Sequence, residues 1–363
     1  MIKRILYTLL IMFPVLASAQ INTDRVMAIG RNALYFEDYV LSIQYFNQVI
    51  NAKPYLSDPY FYRGLAKINL DDFQGAESDC SEAIERNPFV VSAYQVRGLA
   101  RIQQNNFAGA IEDYTKALEF DPENIGVWHN MALCRIRQED YKGAKNDLDK
   151  LIAISPRYTK AYLMRGEVDL KQKDTLAAEK DFGKAIEIDR YDADTWASRA
   201  ILRLQQQRYK DAEADFDHAI RLSTRNSGVY INRALARYHQ NNLRGAMSDY
   251  DIALDIDPNN FIGHYNRGLL RAQVGDDNRA IQDFNFVIEM EPDNMMAIFN
   301  RGLLLDQTGD YKGAIKDYST VINEYPNFLL GYQYRAQARR KIGDVKGADA
   351  DEFKVLKAQL DKQ

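Results

Sequence analysis

The strongest constraint on this chain is a period of 34 residues that runs through it without insertion or deletion. Stepping by 34 from Gly268 in both directions reaches Gly30, Gly64, Gly98, Ala132, Gly166, Ala200, Ala234, Gly302 and Ala336, so this column is Gly or Ala in all ten copies. Twelve residues after each anchor lies a second small column, Ala280 and its equivalents, which is Ala everywhere except Ser42. Twenty-four after the anchor stands Pro54, Pro88, Pro122, Pro156, Pro258, Pro292 or Pro326. Four before it, seven of the ten copies carry an aromatic, Trp128 and Trp196 among them. Self-similarity at such a period is the mark of a stacked array of small supersecondary units.

Within one copy the spacing predicts two helices. The first runs for about 14 residues and ends near Gly275-Asp276, where Gly supplies a C-terminal stop. The second runs from about Asn278 to Glu291, where Pro292 forbids continuation. Gly268 and Ala280 let the two approach closely while larger apolar side chains interlock around them. Neither helix buries its face alone, so the copies must stack and share a continuous core. Ten copies from Thr23 to Lys362 fill the chain, which predicts an all-α solenoid of antiparallel helix pairs over residues 20–363.

The pattern resembles the tetratricopeptide repeat family, whose 34-residue unit carries an aromatic, a Gly or Ala, a later Ala, a second aromatic and a closing Pro. Tyr94, Gly98, Ala110, Tyr114, Ala117 and Pro122 show it in one copy. The resemblance covers essentially all of residues 20–363 and implies a right-handed superhelix whose concave face is lined by the first helix of each unit. Arg190, Thr224 and Leu360 depart from the Pro column, and Ser42 and Val49 from the alanines of the first copy. Terminal units are expected to be atypical, because one side of each faces water.

Residues 1–19 read as a signal peptide rather than as part of the fold. Lys3 and Arg4 open it, Ile5 to Leu16 is an apolar run, and Ala17-Ser18-Ala19 is a small-x-small cleavage pattern. That run is short of the roughly 20 residues that span a bilayer. The expectation is an exported protein, periplasmic or secreted, starting at Gln20 and holding no membrane span after cleavage. Export permits disulfides, but Cys80 and Cys134 lie two units apart, too far for a bond that needs Cα atoms within about 7 Å. Both are expected to be buried free thiols. Hydrophobic residues at 46% with 27% charged residues fit a folded domain. A formal net charge of −4, or −6 without Lys3 and Arg4, argues against a nucleic-acid partner.

An Arg precedes the anchor in eight copies, and an Asp follows that Arg sixteen residues later: Arg63/Asp79, Arg97/Asp113, Arg165/Asp181, Arg199/Asp215, Arg233/Asp249, Arg267/Asp283, Arg301/Asp317 and Arg335/Asp351. In a hairpin turning near residue 275, Arg267 and Asp283 stand at the same level and should pair within the repeat. The first copy has Ile29 and Tyr45 and lacks both members; the fourth has Met131 with Asp147, where Arg135 is one turn away. A basic ladder for an acidic ligand is the competing reading, but each Arg already has its own carboxylate.

Catalytic chemistry finds no foothold. His129, His218, His239 and His264 fall in four different columns, without metal-ligand spacing or a glycine-rich phosphate loop. No enzyme activity, metal or cofactor is therefore expected. The expected partner is a protein or peptide. Asn232, Asn266 and Asn300 recur two residues before the anchor in consecutive units, and an amide can donate to and accept from a peptide backbone at once. Local solvation or capping is the plainer reading of that column. One residue before each stands Ile231, Tyr265 or Phe299, either packing or an apolar stripe for a guest. No Lys occupies the asparagine column, so a lysine clamp for a C-terminal carboxylate, known in the family, is not matched. Two functions remain: a scaffold holding a partner segment in its concave groove, and an assembly component of an envelope complex acting through its convex face.

Overall fold

The computed structural model describes residues 22–360; the leader read from residues 1–19 lies outside the described residues. Among the described residues there are twenty α-helices and no strand. They fall into two compact units divided after Asp174. The first unit holds α1 (Thr23–Tyr35), α2 (Tyr39–Ala52), α3 (Asp58–Ile68), α4 (Phe73–Arg86), α5 (Val91–Gln103), α6 (Phe107–Phe120), α7 (Ile125–Arg137), α8 (Tyr141–Ile154) and α9 (Thr159–Lys171). The second holds α10 (Thr175–Ile188), α11 (Ala193–Gln205), α12 (Tyr209–Leu222), α13 (Ser227–His239), α14 (Leu243–Ile256) and α15 (Phe261–Gln273). It continues with α16 (Asp277–Met290), α17 (Met295–Gln307), α18 (Tyr311–Glu324), α19 (Leu329–Lys341) and α20 (Val345–Leu360). Each 34-residue copy supplies one odd-numbered and one even-numbered helix, and within each unit these pack as antiparallel pairs, α1 with α2 through α7 with α8 in the first and α11 with α12 through α19 with α20 in the second.

The turn within each pair is built the same way. Its middle residue is left-handed in every copy: Glu37, Asp71, Asn105, Glu139, Lys173, Gln207 and Asn241 have φ between 59° and 65°, and Gly275, Gly309 and Gly343 take the same place. In most copies the next residue caps the following helix, as where Asp72 accepts from the Gly75 amide and Asn106 from that of Gly109, while Arg208 and Asp276 make no such bond among the described residues. A second recurrent contact lies at the start of several first helices. The indole of Trp128 donates to the Pro122 carbonyl at 2.7 Å, and the Tyr162 hydroxyl to that of Pro156 at 3.1 Å. The closing Pro thus stops one helix and leaves its carbonyl to anchor the aromatic of the next.

Helix contact runs over the small columns. Ala76, Ala110, Ala144, Ala212, Ala246, Ala280 and Ala314 are fully buried. A Cβ on Gly98 would lie 2.7 Å from the Tyr114 ring, and one on Gly64 would lie 2.9 Å from Cys80 Sγ. Cys80 and Cys134 are buried free thiols, and burial pushes Cys80 up to about 12.

Candidate partner-binding face

The arginine before each anchor is tied down. Arg63 holds Asp79 through Nε and Nη2 at 2.8 and 2.6 Å, and Arg233 holds Asp249 at 2.9 and 2.6 Å. Arg97, Arg199, Arg267, Arg301 and Arg335 grip Asp113, Asp215, Asp283, Asp317 and Asp351 in the same two-pronged manner. Arg135 stands in for Met131 and reaches Asp147 at 2.7 Å. Arg165 and Asp181 belong to different compact units.

Two further contacts were not expected from the sequence. The remaining nitrogen, Nη1, reaches sixteen residues back into the preceding repeat: from Arg63 to Asn47, from Arg233 to Asp217 and from Arg335 to Ser319. A second cation four residues on, such as Arg101, Arg203 or Arg237, adds a bond to the same Asp. Its Nε then binds Glu77, Glu179 or Glu213 of the preceding repeat. Burial works against the charge of Arg267, but hydrogen bonding and attraction from Asp283 outweigh it and raise its pKa. These guanidiniums are occupied as structural ties.

The asparagine column is not uniform. Asn232 on α13 and Asn266 on α15 are half-buried and carry no side-chain hydrogen bond among the described residues. Asn300 on α17 is committed, donating to the Tyr265 hydroxyl at 3.1 Å and so linking neighbouring first helices. Burial raises the Tyr265 pKa, and the Asn300 bond partly offsets it.

The apolar column resolves toward packing. Ile231 is 7% exposed among Tyr230, Ala234 and Tyr250, and Phe299 is 9% exposed against Tyr318, Phe328 and Tyr334. Both are core side chains rather than a surface stripe, because the neighbouring helices close over that side of the first helix. Tyr265 remains half-buried and lines a cavity of about 260 Å³ with Phe261, Ile262, Asn294 and Met296. A second cavity of about 320 Å³ has Phe299 in its wall, with Asn294, Met295, Met296, Tyr325 and Phe328. Ile262 and Met296, three residues before Tyr265 and Phe299, and their equivalent Leu330 in the last repeat are at least half exposed. Their signal was in the sequence: that column is polar or small in the first seven copies and large and apolar only in the last three.

Among the described residues no group of His, Cys, Asp and Glu is arranged to hold a metal ion, and no helix is long and apolar enough to cross a membrane.

Comparison with known proteins agrees with this geometry. A TPR repeat model matches residues 98–134, and tetratricopeptide repeat models match residues 125–158, 159–192, 198–261 and 265–327. No curated protein matches the chain. Among solved structures, a tetratricopeptide repeat protein from Parabacteroides merdae is similar over 69% of this chain and 98% of its own, at 21% identity and a TM-score of 0.53. The C-terminal part of a TPR repeat-containing protein from Cytophaga hutchinsonii covers 65% of this chain and 97% of its own, at 17% identity and a TM-score of 0.54. PilF of Pseudomonas aeruginosa covers 60% and 98%, at 18% identity and a TM-score of 0.54. At these identities the likeness speaks for the fold. An unbroken 34-residue register, helix pairs closed over Gly and Ala columns, and family matches spread from residue 98 to residue 327 lead to one conclusion: this chain belongs to the tetratricopeptide repeat family.

Proposed function

We propose that this protein is an exported, non-enzymatic scaffold that binds an extended segment of a partner protein along the groove lined by its first helices. The observation that carries the reading is the pair Asn232 and Asn266, half-exposed amides on consecutive first helices with no side-chain partner among the described residues. An amide left in this way donates to and accepts from a peptide backbone, holding the chain without reading its side chains. Packed helices stand roughly 8–10 Å apart, about three residues of extended chain. Export rests on Lys3, Arg4, the apolar run Ile5–Leu16 and the Ala17-Ser18-Ala19 pattern.

The test is capture of partners by the mature chain from the envelope fraction of its source cells, repeated with Asn232→Ala/Asn266→Ala. The reading expects the captured partner to be lost or strongly reduced, with the helical circular dichroism unchanged. Undiminished capture by the variant removes it. Asn300→Ala is kept as a separate arm, because that side chain also ties α17 to α15.

A further inference from the structure

The last three repeats differ from the rest in two independent ways, and both concern one edge of the second unit. The first is apolar. The opening residues of the first helices are Phe261-Ile262, Met295-Met296 and Leu329-Leu330, where the equivalent pairs in earlier copies include Asp58, Lys160 and Asp194. Ile262, Met296 and Leu330 are 50%, 61% and 50% exposed, a large apolar cost for solvated positions. Met296 borders both cavities described above, so they adjoin along one edge.

The second difference is charge. Residues 249–266, 283–300 and 317–334 each run from the middle of a second helix through the closing turn to the middle of the next first helix. None contains Lys or Arg, whereas each of the six corresponding stretches before them holds at least one, such as Lys53, Arg86 or Lys116. Asp255, Glu289, Asp293 and Glu324 are exposed there without an ion pair among the described residues, and Asp293 borders the larger cavity. Cations of the first helices do not balance them. Arg267, Arg301 and Arg335 are held by the aspartate column, and Lys341 is bound to Asp306 at 2.9 Å.

We infer that this edge is a docking site for an extended partner segment that carries large apolar side chains at every third position with Lys or Arg between them. The apolar side chains enter the two cavities, and the cations face the unpaired carboxylates. Spacing sets the register: first helices about 8–10 Å apart match one turn of a polyproline II strand, three residues at about 3.1 Å each. Methionine at two of the contact positions suits a range of apolar guests, because its side chain is unbranched and polarizable. This inference rests on the groove reading above and assigns it a location and a ligand chemistry.

The probe is a labelled twelve-residue peptide with Leu at every third position and Lys and Ser between, titrated against the mature chain. Controls carry Glu for Lys, or Ser for Leu. The Lys/Leu peptide is expected to bind, and Ile262→Ser/Met296→Ser/Leu330→Ser to weaken it by about tenfold or more, as removal of large apolar contacts requires. Binding should also weaken as salt rises from about 0.1 M to about 0.5 M. These positions are exposed, so the variant should keep its fold, which circular dichroism checks. No binding of the Lys/Leu peptide, equal binding of the Glu peptide, or unchanged affinity in the triple variant would each overturn the inference. A self-associated chain that the triple variant returns to monomer would also overturn it, assigning the edge to a second copy. The groove reading is judged separately by envelope capture with Asn232→Ala/Asn266→Ala, so failure of the assigned edge is told apart from failure of the groove reading on which it rests.

Discussion

Arg267 Nη1 lies 2.8 Å from Asp251, sixteen residues earlier in the chain, while its Nε and Nη2 hold Asp283 sixteen residues later. One guanidinium therefore ties three helices: α15, its partner α16, and α14 of the preceding repeat. The two carboxylates are not equivalent, since Asp283 is 3% exposed and the Asp251 side chain 51%. A surface partner contributes about 0–1 kcal/mol, whereas stripping a buried charge of its partner costs roughly 3–5 kcal/mol.

A clean test of that difference lies one repeat on. Asp283 receives Arg267, Arg271 and His264, so replacing only Arg267 and Asp283 strands two further donors. Asp317 receives Arg301 alone among the described residues, with Leu305 standing where Arg271 does. Asp317→Ala is expected to destabilise by about 3–5 kcal/mol, and Arg301→Met/Asp317→Leu to be near neutral by comparison. The same double replacement at Arg267/Asp283 should stay costly. Urea unfolding of the three variants checks this; equal losses for the two double replacements would refute the account.

The forward half of this network was legible because Arg and Asp recur as fixed residue types at fixed spacing. The backward half was not, because its acceptors are Asn47, Ser81, Asp217, Asp251, Asn285 and Ser319, alike only in offering an oxygen. Its geometry also belongs to stacking between repeats, which no single repeat encodes. The apolar column stayed open between packing and a guest stripe for a related reason. Helical spacing places Ile231 and Phe299 on one side of their helices but cannot say that a neighbouring helix covers that side. Period, hairpin and small columns were all readable, because each follows from one chain segment packing on itself.

The turns offer a second prediction. Glu139 holds φ at 61°, a conformation that costs a residue with a Cβ roughly 1–2 kcal/mol. Gly275 occupies the equivalent place at φ 82° with open space around a would-be Cβ. Glu139→Gly is expected to stabilise by up to about 1 kcal/mol once the greater freedom of unfolded Gly is set against the relief. Gly275→Ala should destabilise by about 1 kcal/mol through the backbone alone. Thermal melts of the two variants should move in opposite directions.

The aspartate column also predicts a pH signature. Burial pushes Asp283 upward, but hydrogen bonds from His264 and Arg267, with the charges of Arg267 and Arg271, outweigh it and hold the carboxyl below its usual 3.8. Asp113 has two arginines and no histidine; burial prevails, and its pKa stands above 3.8. The signs differ accordingly. Stability contributed by Asp283 is complete above 3.8 and is lost as pH falls through the folded value, while that linked to Asp113 declines as pH rises from 3.8 through its folded value. His264→Phe keeps an aromatic against Phe286 while removing a donor, so the Asp283 midpoint should rise. Carboxyl carbon shifts followed by NMR titration measure it directly, and an unmoved midpoint would show that His264 plays no part.

The last prediction concerns Tyr318, which sits under Gly302 with its ring 2.9 Å from where a Cβ would be. The side chain is fully buried, and its hydroxyl has no hydrogen-bond partner among the described residues. Equivalent positions hold Phe46, Phe182, Phe216 and Phe284, also fully buried, so the repeat packs around a bare ring without difficulty. An unsatisfied buried hydroxyl costs about 1–3 kcal/mol, and its removal leaves the surrounding packing intact. Tyr318→Phe is therefore expected to stabilise the second unit by about 1 kcal/mol. Gly302→Ala should do the reverse, by roughly 1–3 kcal/mol, because the ring is wedged against Phe299 and Tyr334 and has little room to retreat. Combining the two tests the cause: if ring crowding alone sets the cost at Gly302, the effects of the two substitutions should add, since Phe keeps the ring and loses only the hydroxyl.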